Sequence, residues 1–221
     1  MVTPLPSTVA GTTVHETEVK RSRFVCRLAH VPDVVAADAV IAEVRKERWD
    51  ARHHCVALVV GAGADQQRSS DDGEPSGTAG VPMLEVLRHR GLTDVVAVVS
   101  RYFGGVLLGA GGLVRAYTAA VVQTIDSAVV VRRELRDVVH ITTSFAEAGR
   151  TENFVRSWSA SHDGVLDQVS YGSTGAVLAL LVRPDQTATL AADLAVMSGG
   201  TLHARVAEQR VVDLPATQRS G

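Results

Sequence analysis

The sequence predicts an α+β protein of two domains. Apolar residues recur in blocks of helical and of strand period through most of the 221 residues. The pattern resets at the short charged link Arg132-Arg133-Glu134. Beyond that link the blocks follow the order βαββαβ. The domains are therefore expected at residues 15–132 and 135–212, a partition that suits a chain of this length.

Residues 1–13 read as a loose leader rich in Thr, Pro and Gly. Two extended pieces follow at 16–19 and 24–29, with Lys20, Arg21 and Arg23 at the turn between them. Ala37, Val40, Ile41 and Val44 keep an i, i+3, i+4, i+7 spacing, which predicts an amphipathic helix packed on one face. Residues 55–60 are a compact apolar run and predict a buried strand. The segment 61–82 has no apolar periodicity and reads as a long loop, a feature usually functional or disordered. Pro82 suits a first helical turn, and residues 83–90 predict a short helix ended by Gly91.

Residues 95–99 are apolar throughout, as in a strand covered on both faces, with Arg101 just past its end. A glycine-rich turn then leads into a helix from 113 to about 127, apolar nearly all round and so expected at the centre of the core. The second half predicts strand 138–143, helix 145–160, strands 165–171 and 176–182, helix 186–197 and strand 201–207. Gly172 to Gly175 form the hairpin turn between the middle strands. This order is that of a ferredoxin-like sandwich, two helices on one face of a four-stranded sheet. The chain from Pro215 reads as a polar tail.

Composition excludes several classes. Hydrophobic residues make up 46% but aromatics only 4%, so Val, Ala and Leu must build the core. A net charge of -2 gives no whole-protein argument for nucleic acid or membrane, and nothing points to DNA specificity. No charge-free apolar run reaches membrane-spanning length, and the start lacks a signal-peptide pattern. Cys26 and Cys55, the two cysteines, form neither a disulfide framework nor a C-x-x-C pair. A cytoplasmic setting is expected.

Two clusters carry candidate chemistry. Arg101, Gly104, Gly105, Gly109, Gly111, Gly112 and Arg115 place free backbone N–H groups and two cations at a helix N-terminus, which suits a small anion. The same glycines equally serve to pack a helix against a strand. They match no nucleotide motif, since Ala110-Gly111 stand where a P-loop needs Lys-Ser/Thr. Asp71, Asp72 and Glu74, with Ser76 and Thr78 in the same loop, offer hard oxygens for a cation, a solvated turn, or carboxylate partners for Arg101 or Arg115. The third reading is preferred, and no metal or other cofactor is expected. Ser76 lacks a nucleophile elbow, and Cys55 reads as an inert small hydrophobe in a buried strand. Lys20, Arg21, Arg23, Arg27, Lys46, Arg48 and Arg52 form either a face for RNA phosphates or, with Glu43, Glu47 and Asp50 among them, a mixed-charge surface.

The runs SDDGEPSGTAG at 70–80, PMLEVL at 82–87, RYFGG at 101–105 and LGAGGLVRAY at 108–117 together resemble the YigZ/IMPACT family (IMPACT for imprinted and ancient). Upstream, ARHHCVA at 51–57 is similar to the family's A-T-H-x-C-x-A segment, with Arg52 where threonine is usual. The resemblance implies an N-terminal α/β sandwich like domain 2 of a small-subunit ribosomal protein, and a ferredoxin-like second domain. Eukaryotic relatives act in translational control through an extra N-terminal domain for which this chain has no room. The family offers no agreed catalytic residues.

The expectation is a non-catalytic cytoplasmic binding protein linked to translation, contacting RNA or a ribosome-associated protein. One alternative is an enzyme acting on a phosphate- or carboxylate-bearing small molecule or peptide in the glycine-rich cleft. The other is a protein–protein adaptor using the sheet of the second domain. In each of the first two, the 71–78 loop facing 101–105 and 109–115 is the expected site.

Overall fold

Strand pairing in this computed structural model, which describes residues 5–214, builds two five-stranded sheets. The chain divides into two units: residues up to Arg133 with Asp213 and Leu214, and residues Glu134–Val212. The first unit contains β1 (Thr8–Val9), β2 (Thr12–Val19), β3 (Ser22–His30), α1 (Val34–Glu47), β4 (His53–Val60), β5 (Gln66–Ser70), α2 (Gly80–His89), β6 (Val95–Tyr102) and α3 (Ala110–Ser127).

Its sheet has the order β2-β3-β6-β4-β5 and is antiparallel throughout. Along β6 the side chains alternate between two cores, because successive residues of a strand face opposite sides. Val96 and Val98 meet Ala37, Ile41 and Val44 of α1. Val95, Ala97 and Val99 meet α2 and α3 through Met83, Leu87, Leu113, Tyr117 and Val121. The continuous apolar run is thus the mark of a sheet with helices on both faces. Each fully buried Val or Leu contributes about 1.5–3 kcal/mol, so this strand is the thermodynamic centre of the unit. α1 starts cleanly because the Asp33 carboxylate accepts from Ala36 N at 2.7 Å. Its last turns carry Glu43 and Glu47, which both pair with Arg27 of β3.

Several expectations give way here. Residues 5–13 are no loose leader: Thr8 and Val9 are buried and pair with Val131 and Val130. Residues 1–4 and the tail from 215 lie outside the described residues. The long loop 61–82 contains β5, an edge strand of polar residues paired with Val56–Val60. Backbone pairing alone defines it, which is why no apolar period announces it. Arg101 lies inside β6, opposite Phe24 and His53, rather than past the strand's end. α3 is an outer-layer helix: Leu113, Tyr117, Val121 and Ile125 face the core, whereas Gln123 and Asp126 are exposed. The charged link 132–134 is continuous strand within β7 (Val130–Thr143). Its Arg133 pairs with Asp94 at 2.7 Å.

The second unit continues β7 with α4 (Ala148–His162), β8 (Val165–Tyr171), β9 (Ala176–Val182), α5 (Thr187–Ser198) and β10 (Ala204–Leu214). Its strand order is β10-β7-β9-β8. Val155 and Trp158 of α4 and Leu190 and Leu194 of α5 join Val139, Ile141, Leu178 and Leu180 in one core. The hairpin between β8 and β9 closes through Gly172 N donating to Gly175 O at 2.8 Å.

Candidate functional site

The loop between β5 and α2 is organised by its three acids, each with a separate task. The Asp71 carboxylate accepts from the backbone N–H groups of Gly77 (2.8 Å), Ala79 (3.0 Å) and Gly80 (2.8 Å). It thereby caps α2, whose own N-cap residue Ala79 has no side chain for the purpose. Burial opposes its charge, yet these three donors hold its carboxyl below the ordinary value. Asp72 accepts from His54 N and from Arg45, each at 2.7 Å, while its carbonyl lies 2.8 Å from His53 Nδ1. Glu74 turns inward and pairs with Arg101 at 2.7 Å.

That pair is buried, with side-chain exposures of 8% for Arg101 and 3% for Glu74. Tyr117 of α3 donates its hydroxyl to Glu74 at 2.9 Å, and Cys55 Sγ lies 3.3 Å from the same hydroxyl. The Cys55 thiol donates to the Asp71 carbonyl at 3.0 Å. Phe24 closes the cluster, edge-on to Tyr117 at 5.2 Å and under the Arg101 guanidinium at 5.5 Å. Burial pushes the Cys55 thiol up to about 12 and raises the Tyr117 hydroxyl as well. Both groups stay protonated at neutral pH, so they act as hydrogen-bond donors and Cys55 has no thiolate to offer. The acids diverge, and among the described residues no three His, Cys, Asp or Glu side chains converge as metal ligands would.

Arg101 and Arg115 border different hollows. Arg101 spends Nη1 on Glu74 and lines one with Arg52 and Phe103, whereas Arg115 is exposed and borders another with Lys20, Leu108 and Gly112. Gly104 has a packing reason: a Cβ there would stand 2.1 Å from the Arg21 carbonyl carbon. Gly109 caps α3 with φ 72°, a left-handed value that favours glycine. Gly105 also has positive φ, and Gly111 and Gly112 lie in the first turn of α3. Thr78 is buried and donates to the Pro75 carbonyl at 2.6 Å, while Ser76 is exposed.

Sequence reasoning underrated the end of the sheet beside this cluster. Register brings together the β2–β3 turn, the start of β4 and the end of β6; Lys20 of the turn shares a hollow with Gly112 and Arg115 of α3, and Asp50 past α1 meets Tyr102 of β6. Lys20 and Arg21 occupy the two-residue turn, both with positive φ, in the manner of a tight hairpin. Arg23 stacks over Tyr102 at 4.7 Å, and Tyr102 donates to Asp50 at 3.2 Å. Trp49, next to Asp50, is 81% exposed. Among the described residues no carboxylate pairs with Lys20, Arg21, Lys46, Arg52 or Arg115. Arg27 belongs elsewhere, under α1 with Glu43 and Glu47. A cavity of about 270 Å³ opens here between Arg52, His53, Arg101, Phe103 and Leu107. The available signal was the alternation of cations with Trp49, Tyr102 and Phe103 along the chain.

Comparison with known proteins matches residues 20–125 to the Impact N-terminal domain. The chain is 46% identical over 142 residues to the IMPACT family member YvyE of Bacillus subtilis, a match covering 64% of this chain and 65% of that protein. It is 38% identical over 141 residues to an IMPACT family member in the pol 5' region of Thermus thermophilus, covering 63% of this chain and 74% of that protein. The match thus spans somewhat less than two thirds of the Bacillus protein and more of the Thermus one. A crystal structure of a hypothetical protein superposes with a TM-score of 0.61 at 36% identity, over 94% of this chain and 99% of the other. Among the described residues no helix is long and apolar enough to cross a membrane. The Impact domain lies on the unit that carries the Glu74–Arg101 cluster, and the chain belongs to the IMPACT family.

Proposed function

We propose that this protein is a cytoplasmic, translation-linked binding protein whose first unit grips single-stranded RNA at the cation-rich end of its sheet. One observation carries the reading: Lys20, Arg21, Lys46, Arg52 and Arg115, without a carboxylate partner among the described residues, lie on the segments at the end of the sheet that also carries exposed Trp49 and Phe103. Cations along a strand path neutralise phosphates, and exposed rings stack on bases that a duplex would hide. The net charge of -2 does not oppose this, because the cations are gathered and, of the nearby acids, Glu43 pairs with Arg27 and Glu47 with Arg27 and Arg48. The second unit's order β10-β7-β9-β8 with α4 and α5 on one core supports a ferredoxin-like sandwich. The helix-covered sheet of the first supports the ribosomal-protein-like reading, an analogy of fold that lends the translation link its prior. The test is intrinsic fluorescence in a Trp158→Phe background, titrated with a short unstructured RNA. Quenching of Trp49 that saturates with RNA is expected. Binding seen by anisotropy with unchanged Trp49 emission overturns the proposed surface.

A further inference from the structure

We propose that the cavity between Arg52, Arg101 and Phe103 receives a terminal phosphate monoester carried on a nucleotide. The two guanidinium groups hold the phosphate, and Phe103 and Leu107 face the attached nucleoside. This deepens the RNA-binding reading and rests on it for the polymeric source of the phosphate.

The charge balance of the cavity calls for an anion. Two arginines line it, yet among the described residues Glu74 is the one carboxylate that pairs with either of them. Arg101 lines the cavity, is 7% exposed and uses Nη1 on Glu74, its one carboxylate partner among the described residues. A guanidinium carries five N–H donors, so one bond to Glu74 leaves others for an anion that enters the cavity. Arg52 has no carboxylate partner among the described residues and reaches over the same ring as Arg101. The Phe103 ring sits 6.0 Å from the Arg52 guanidinium and 5.8 Å from that of Arg101. Two cations on one ring repel each other, and a dianion between them relieves that repulsion while accepting from both. His53 is oriented by Nδ1 donating to the Asp72 carbonyl at 2.8 Å, which leaves Nε2 as its second polar atom.

Size limits what enters. At about 270 Å³ the cavity is smaller than a site for a whole dinucleotide cofactor and suits a phosphate with part of one nucleoside. Leu107 is 84% exposed and Phe103 44%, so the apolar wall stands open for a ring to stack against it. The loop 103–109 that carries both is pinned at Gly104, which packs on the Arg21 backbone.

The experiment compares a short RNA bearing an end phosphate with the same RNA ending in a hydroxyl, and a nucleoside monophosphate with its nucleoside. Binding to the full chain is read by anisotropy for the RNAs and by calorimetry for the small ligands. The end phosphate should tighten RNA binding by about tenfold, the effect of one or two charge-assisted hydrogen bonds. In Arg52→Ala, whose exposed side chain is not needed for folding, that ratio should fall to about one. A monophosphate that binds in an Arg52-dependent way while no RNA binds keeps the site and overturns the RNA reading. Equal affinity for both RNAs in the unaltered protein, with monophosphate no tighter than nucleoside, overturns the site and leaves the RNA reading standing.

Discussion

Glu74→Ala isolates the interaction on which the candidate site is built. Glu74 and Arg101 are 3% and 8% exposed, and Glu74 also accepts from Tyr117 at 2.9 Å. Deleting the carboxylate leaves a buried guanidinium unpaired, a change that costs about 3–5 kcal/mol. The orphaned Tyr117 hydroxyl adds about 1 kcal/mol. A loss of about 4–6 kcal/mol is therefore expected, a large share of the stability of a unit this size. Replacing both charges in Glu74→Ala with Arg101→Met should recover about 2 kcal/mol or more, since an apolar pair removes the desolvation penalty altogether. Asp38→Ala, which breaks the solvent-exposed pair with Arg68, serves as the control and should change little. Urea unfolding is the assay, read by circular dichroism and by thiol labelling. Cys26 and Cys55 are both buried in the first unit, so labelling reports on that unit alone. A Glu74→Ala protein within about 0.5 kcal/mol of the parent would refute the reasoning, because that is the size of an exposed pair. So would a double variant as unstable as the sum of the two single changes.

Asp71→Ala should cost about 2 kcal/mol, because α2 loses the carboxylate that accepts from Gly77, Ala79 and Gly80. The folded state holds this carboxyl below its ordinary 3.8, so its contribution is full above that value and is lost as pH falls through the folded one. Urea curves at several pH values should show the gap between parent and variant closing in acid, and a gap constant with pH would contradict the capping role. Gly104→Ala places a methyl 2.1 Å from the Arg21 carbonyl carbon and should destabilise by about 2 kcal/mol or more in thermal unfolding. Gly149→Ala in α4, where nothing lies within 4 Å of the new methyl, should be neutral or stabilising by the same assay.

The elements that sequence made legible are those whose burial writes a period. α1 reads directly from Ala37, Ile41 and Val44, and the centre of β6 from five consecutive buried apolar residues. β5 has no such signature: Gln66 to Ser70 are mostly exposed and joined to β4 by backbone pairing. β1 is two residues long, too short for any periodicity. The pairing of the acidic loop with Arg101 was readable from residue chemistry, but the division of labour among Asp71, Asp72 and Glu74 was not. It depends on partners far apart in sequence, Arg45 for Asp72 and Tyr117 for Glu74. Cys55 read as a passive hydrophobe because its two polar neighbours, the Asp71 carbonyl and Tyr117 hydroxyl, are set by folding. The cation-rich end stayed hidden for the converse reason. Glu43 and Glu47 neighbour its arginines in sequence, but Glu43 pairs with Arg27 on the sheet face and Glu47 divides itself between Arg27 and Arg48.

The most direct test of the RNA-binding claim is the salt dependence of affinity for a short single-stranded RNA, compared between the parent and Lys46→Ala with Arg21→Ala. Neutralising about four or five phosphates predicts a slope of log K against log salt near -3 for the parent, since single strands lose about 0.7 per phosphate. Removing two of the cations should make that slope shallower by about 1.4 and weaken binding uniformly across sequences. Binding that is absent at low salt, or whose slope is the same in parent and variant, contradicts the assignment of this end of the sheet to RNA.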